Sequence, residues 1–476
     1  MPTNLDAFIT LIALVLAIWS GIHVILNKRD PRGGALWLVI ILFFPFAGPA
    51  LYWIFGINRI RRKSRFRTSS QRFSGFGGFA PELIHEMSSV DPDIRPLVQL
   101  SAKTTQRPLL KSNRIEPLYE GEQVFPSMLE VIGGAQRSVT LSTYILDRDT
   151  VGLRVVDSLC AAADRGCEVR VLVDGLGTSR KALKMASSLR EANAKLAVFH
   201  PLYGLPLRHP GINMRIHRKI LVVDGKVGFT GGINISSRHF FTRYKTSELV
   251  RDIHFKVAGP IVSAMQEVFS DDWLAATGEI LEEGVFFSKP EPAGDCLIRA
   301  VASGPAENFE KIYEIILGAL RTAREEVIIM TPYFIPDRVL IQALRSAVLS
   351  GVEVTILLPE RSDHRVVQWA STAYFPELLE AGVSIALVPP PFIHSKLLVV
   401  DRRWVLVGSA NLDPRSFRLN FEFDLEVYSF ELAEELAFYA EGILEGSERL
   451  TLEKMLARPT AMRLLEGTAK LFSPYL

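Results

Sequence analysis

Apolar positions along the chain fall into three regimes. The first is a pair of near-continuous runs close to the N-terminus. Residues 5–26 are apolar except at Asp6, Thr10, Ser20 and His23, and residues 35–57 carry no charge. At about 20 residues each, both runs are long enough to cross a bilayer as helices, so residues 1–60 are expected to form a transmembrane helical hairpin. Pro45, Gly48 and Pro49 interrupt the second run and predict a kink or partial insertion there. A cleaved signal peptide is disfavoured, because the start is not basic and a second apolar run follows. The second regime, residues 61–109, is polar. Residues 64–78 are rich in Ser, Arg and Gly and read as a tether, and residues 81–103 as a short helical connector.

From about residue 110 the pattern becomes regular. RSVTLSTYI (137–145) reads as a strand, a helix ends near Gly166, and EVRVLVD (168–174) is a second strand. The order then recurs: EVIIMTPYF (326–334), a helix ending near Gly351, and EVTILL (353–358). Tyr144 matches Tyr333 and Gly166 matches Gly351. This is a duplication of a domain-sized unit. Strands alternating with helices make each copy an α/β sandwich. The expected domains are 110–290 and 291–476, related by a pseudo-twofold axis.

Composition adds little to this picture. The chain has 476 residues and a net charge of +2, which points neither to nor away from nucleic acid. A nuclease would need a basic groove, and the small net charge with two apolar runs disfavours one. Cys160, Cys167 and Cys296 are odd in number and form no CxxC, so they read as free thiols. No zinc or calcium spacing is present, and no metal or cofactor is expected. After the second apolar run come Arg59, Arg61, Arg62, Lys63, Arg65, Arg67 and Arg72, against Lys28, Arg29 and Arg32 between the runs. The larger excess predicts a multi-pass protein of the cell membrane with its catalytic part in the cytoplasm. The cluster also suits anionic lipid headgroups.

The chemistry lies in a motif that occurs twice. MRIHRKILVVD (214–224) holds His217, Lys219 and Asp224; FIHSKLLVVD (392–401) holds His394, Lys396 and Asp401. On a strand, His and Lys two apart share a face. Asp224 and Asp401 have the other parity and stand where the chain turns, so they read as anchors of the motif. A small-residue loop follows each strand, Thr230–Asn234 in sequence TGGIN and Gly408–Asn411 in sequence GSAN. Its glycines predict close backbone approach to an anion, and Asn234 and Asn411 supply neutral amide donors. An imidazole, an ammonium and an amide from each copy suit a phosphate. Later strands carry Asp252 (RDIHFKV) and Glu422 (FEFDLEV) at equivalent positions. Each carboxylate is expected to accept the second ring N–H of the histidine in its own half. Weaker signals are Ser362-Asp363-His364, equally a helix start; Arg208 and His209, equally a surface loop; Tyr144 and Tyr333, by default core; and the apolar C-terminal stretch 459–476, which suits either a membrane surface or the protein core.

These paired motifs resemble the phospholipase D superfamily and, over nearly the whole chain, the bacterial cardiolipin synthases. The shared stretches include RDPRGGALW, IHRKILVVDGKVGFTGGINI, TPYFIPD, SDHRVVQWAS, HSKLLVVD and GSANLDPRS. One departure is Val250, before Arg251-Asp252, where that family tends to have Trp. The resemblance implies phosphatidyl transfer between two phosphatidylglycerol molecules through a phosphohistidine, giving cardiolipin and glycerol. It implies His217 as nucleophile and His394 as acid and base, with the reverse left open by the symmetry of the repeat. Lys219, Lys396, Asn234 and Asn411 would hold the phosphoryl oxygens. Hydrolysis to phosphatidic acid, or transfer from phosphatidylethanolamine, uses the same residues and stays open. The implied partners are phosphatidylglycerol and anionic membrane lipids.

Overall fold

A computed structural model describes residues 4–28, 31–56, 90–201, 213–241, 249–305 and 309–476. The basic cluster 59–72, the tether 64–78, and Arg208 and His209 lie outside the described residues. Contacts divide the chain into two units, Met1–Arg65 and Phe66–Leu476.

In the first unit, α1 (Asn4–Asn27) is 24 residues long, about 36 Å at 1.5 Å per residue and enough for a bilayer core of about 30 Å. Phe8, Leu11, Val15, Ile18 and Ile22 on it are exposed, as a lipid-facing helix requires. The second apolar run is broken where Pro45, Gly48 and Pro49 predict a kink, and it does not form a single span. It breaks into α2 (Pro31–Phe43), 13 residues and about 20 Å long, the short α3 (Ala47–Leu51), and a π-helical turn, Tyr52–Gly56. Gly48 explains the break: a Cβ there would lie 2.4 Å from the Ile40 carbonyl oxygen, so the chain doubles back tightly on α2. Only α1 is long and apolar enough to cross a membrane among the described residues, so a multi-pass arrangement is not supported. Trp53 holds the fold-back, its indole N–H donating to Ser20 Oγ at 2.9 Å.

In the second unit, the first half supplies β1 (Leu110–Tyr119), β2 (Ser138–Thr143), β3 (Glu168–Asp174), β4 (Lys195–Phe199), β5 (Arg215–Ile216), β6 (Ile220–Val223), β7 (Val227–Gly231), β8 (Val250–Arg251) and β9 (Ile253–Ala258). The second supplies β10 (Cys296–Ser303), β11 (Glu326–Met330), β12 (Glu353–Pro359), β13 (Ser384–Val388), β14 (Phe392–Ile393), β15 (Leu397–Val400), β16 (Trp404–Gly408), β17 (Asn420–Tyr428) and β18 (Glu448–Arg449). One continuous sheet runs β13-β12-β11-β15-β16-β17-β10-β1-β9-β7-β6-β2-β3-β4, with β18 beyond β13. Read outward from the β10–β1 pair, the order is the same in both directions. The duplication therefore closes on itself about that antiparallel pair, in which Leu110 faces Ile298.

Two short parallel ladders cross between the halves. Arg215 and Ile216 of β5 pair with Asn420 and Phe421 of β17, and Phe392 and Ile393 of β14 pair with Val250 and Arg251 of β8. These cross-pairings set the site. The helix Arg95–Thr105, from the segment read as a connector, packs on the helix Lys311–Thr322 and buries Leu97 and Val98 in the second half's core. Its Ser101 Oγ donates to Glu426 at 2.7 Å.

Candidate active site

Each His-x-Lys stands between strands, on an irregular step that leads from the crossing ladder into a core strand: β5 to β6 for His217, β14 to β15 for His394. The run after each lysine is a fully buried strand, as the apolar pattern predicts. The step lets the lysine bend back, so that Lys219 Nζ donates to the His217 carbonyl at 2.7 Å; Lys396 Nζ does the same to His394. Tyr144 meets both members of the first pair, its ring edge-on to His217 at 5.0 Å and beneath the Lys219 ammonium at 5.6 Å.

The carboxylates reverse the expected assignment. His217 Nδ1 donates to Glu422 of the second half at 2.9 Å, and His394 Nδ1 donates to Asp252 of the first half at 2.7 Å. The crossing ladders are the reason. The His217 N–H donates to the Phe421 carbonyl and the His394 N–H to that of Arg251, so each imidazole stands beside the next residue on the partner strand. Both carboxylates are fully buried. With Nδ1 committed to a carboxylate, Nε2 is the ring nitrogen that faces the chemistry, and in His394 it lies 3.0 Å from Lys396 Nζ.

His217, His394, Asn234 and Asn411 line one cavity of about 220 Å³ between the halves. Asn234 Oδ1 accepts from the Ile145 N–H at 3.2 Å, which leaves its amide N–H groups for the cavity. Asn411 Oδ1 is buried without a partner among the described residues. Tyr333 also lines the cavity, its hydroxyl donating to Asp363 at 2.6 Å; His364 is a neighbouring wall residue. Both tyrosines are thus site residues and not only core packing. Val250, the departure from the family pattern, forms part of the wall.

Burial sets the titration of the site. It pushes His217 down to about 4, against the pull of Glu422. Burial, with the Lys396 and Lys219 ammonium groups, holds His394 well below the usual imidazole range. Burial also lowers Lys219 to about 7 and Lys396 to about 8. The two carboxylates differ. Burial raises Asp252, with Lys396 opposing it. Burial would raise Glu422 too, but His217 and Lys219 carry it below the ordinary carboxyl value. Glu422 also accepts from Ser409 Oγ at 2.6 Å and Asn420 Nδ2 at 3.0 Å. With the two lysines and two carboxylates charged and the two histidines neutral, these six side chains sum to zero. A bound phosphodiester monoanion would favour one added proton.

The motif aspartates keep the anchoring part expected of them, while the glycine loops and two arginines add to the sequence reading. Asp224 and Asp401 are not in the cavity. They lie at the far ends of β6 and β15, about 15 Å along the strand from the lysines. The Asp224 carboxylate accepts from the N–H groups of Gln136, Arg137 and Ser138, and Asp401 from those of Arg324, Glu325 and Glu326. Each pins the start of the neighbouring strand, as parity suggested. The glycine loops let buried carboxylates approach the backbone: a Cβ on Gly232 would lie 2.3 Å from Asp252 Oδ1, and one on Gly408 2.1 Å from Asp424 Oδ1. Finally, Arg238 and Arg415 line the cavity and were not singled out from the sequence. The signal was available, because each stands four residues after its asparagine.

A family model described as cardiolipin synthase, PLD-like domain, matches residues 128–273 and 316–444, and one described as phospholipase D-nuclease N-terminal matches residues 15–56. The chain is 34% identical over 459 residues to a cardiolipin synthase of Geobacillus sp. (strain WCH70), covering 95% of this chain and 90% of that one. It is 32% identical over 487 residues to the major cardiolipin synthase of Bacillus subtilis, covering 99% and 100%. Among solved structures it is similar to phosphatidylserine synthase of Haemophilus influenzae, with a TM-score of 0.61 at 15% identity over 80% of this chain and 100% of that one. At that identity the likeness speaks to the fold.

Proposed function

The chain belongs to the cardiolipin synthase family of phospholipase D-like proteins, and from that premise we propose that it transfers a phosphatidyl group from one phosphatidylglycerol to another, giving cardiolipin and glycerol. The observation that carries the reading is the pair of histidines on one cavity, each oriented by a buried carboxylate.

His217 Nε2 attacks the phosphorus, forming a P–N bond as the P–O bond to the headgroup glycerol breaks. His394, protonated when the anionic lipid binds, gives its proton to the departing glycerol oxygen. The headgroup hydroxyl of a second phosphatidylglycerol then passes its proton to His394 and attacks the phosphorus, and the P–N bond breaks. Lys219, Lys396, Asn234 and Asn411 stabilise the charge on the phosphoryl oxygens. The assignment of roles is supported by the difference between the carboxylates. Glu422, charged and held by two further donors, keeps the His217 Nε2 lone pair available. Asp252, pushed up by burial, suits a histidine that gains and loses a proton.

Attachment to the membrane is through α1, and the arginine excess after the apolar runs favours a cytoplasmic catalytic unit. The test is a product assay: the full chain in vesicles of labelled phosphatidylglycerol is expected to yield cardiolipin and glycerol in equal amounts. Phosphatidic acid as the sole product would replace transfer with hydrolysis, and product formed only when phosphatidylethanolamine is added would change the donor.

A further inference from the structure

Next to the reactive cavity lies a second and larger one, about 440 Å³, within the ordinary size range of ligand pockets. The two share a wall: Tyr333 and Val367 line both. Tyr333 is suited to that position, with its hydroxyl tied to Asp363 and its ring left as an apolar partition. The second cavity runs between the helix Arg365–Thr372 and the C-terminal helices Leu452–Leu456 and Thr460–Leu471.

Several of the polar groups on its walls are already committed. Gln368 Nε2 donates to the Glu360 carbonyl at 2.7 Å, and Thr372 Oγ1 to the Gln368 carbonyl at 2.7 Å. Lys454 is paired with Glu448, and Arg458 with Glu466. An occupant therefore meets chiefly the hydrocarbon of Leu358, Phe375, Leu387, Leu450 and Met455. The helices that wall the cavity also carry exposed Leu456, Met462 and Leu464, which suits an occupant arriving from a lipid surface.

We propose that this second cavity holds one acyl chain of a phosphatidyl lipid whose phosphodiester lies in the reactive cavity. The inference rests on the phosphatidyl-transfer reading, and it adds a binding site for the tail to one for the headgroup. Its consequence is that tail length is read by the C-terminal helices, and that catalysis on long-chain lipid uses binding made away from the phosphorus.

The test fills the cavity without touching the reactive groups. Thr372→Trp and Met455→Trp are assayed as full-length protein on dioleoyl and on dihexanoyl phosphatidylglycerol in detergent micelles. The expected result is a loss of about tenfold or more in kcat/KM for the long-chain lipid, with the short-chain lipid within about twofold of wild type. Equal loss on both lipids, or no loss on either, overturns the proposal. Because a tryptophan could disturb folding, wild-type protein is also photolabelled with phosphatidylglycerol carrying a diazirine at the chain end. Adducts on residues 365–372 and 450–462 support the site, and adducts confined elsewhere overturn it. Labelling does not need turnover. A wild-type protein that converts no phosphatidylglycerol would count against the transfer reading, while the adduct map separately judges the cavity.

Discussion

His217 Nδ1 lies 2.9 Å from Oε2 of Glu422, 205 residues further along the chain. Its counterpart, His394 with Asp252, spans 142 residues in the opposite sense. Neither half therefore orients its own histidine. Crossing the pairs makes the reactive centre a product of the duplication as a whole, since separating the halves would remove the orienting group from both rings at once.

Glu422→Gln keeps the shape of the side chain and removes its charge, so His217 can settle in the wrong tautomer. The expected outcome is a fall in kcat on the order of 10²–10⁴ with KM changed far less. Steady-state kinetics on short-chain phosphatidylglycerol checks this, alongside a melting curve. A loss under tenfold would mean that the pair positions nothing the reaction needs.

Asp224→Ala and Asp401→Ala give the opposite pattern. Each leaves three backbone N–H groups without their carboxylate, at a cost of about 1–3 kcal/mol in unfolding free energy. Urea denaturation should show that loss, while kcat of the folded variants stays within about threefold of wild type. A collapse in kcat with unchanged stability would return these aspartates to the chemistry.

The histidine, lysine and asparagine positions, the buried strand after each lysine, and the structural part played by Asp224 and Asp401 could all be read from the sequence, because each rests on local pattern and parity. The partner of each carboxylate could not. Asp252 and Glu422 were recognisable as equivalent, but equivalence within a repeat does not say which half a strand pairs with. That depends on the two-residue ladders β5–β17 and β8–β14, too short to announce themselves as strands. The second apolar run was legible in part: Pro45, Gly48 and Pro49 predict the break, whereas the close approach of Gly48 to Ile40 is a tertiary contact that hydropathy does not register.

Lysine charge should shape the pH profile. Burial lowers Lys219 to about 7 and Lys396 to about 8, so in the free enzyme both lose charge as pH rises through 7 to 9. A phosphodiester monoanion favours the charged forms, so binding in that window should take up protons and weaken with rising pH by up to about tenfold per unit for each lysine that must regain its proton. Calorimetry with dimethyl phosphate in two buffers of different ionisation enthalpy reads the uptake directly. Affinity that is flat from pH 7 to 9 would show that the lysines stay charged throughout.

The two units predict separable roles. A chain beginning at residue 90 lacks α1, the one described helix able to span a bilayer. It should turn over micellar short-chain phosphatidylglycerol at about the wild-type kcat and lose co-sedimentation with vesicles. Retained vesicle binding would assign the membrane contact to the catalytic unit instead.

The most direct test of two imidazoles acting on one phosphorus is rapid quenching during turnover of acyl-labelled phosphatidylglycerol, followed by peptide mapping. The account predicts a transient acid-labile adduct on His217 in the wild type, absent when His217 is replaced by Asn and slowed in both formation and breakdown when His394 is replaced by Asn. Cardiolipin formed at the full rate with no histidine labelled at any time would contradict it.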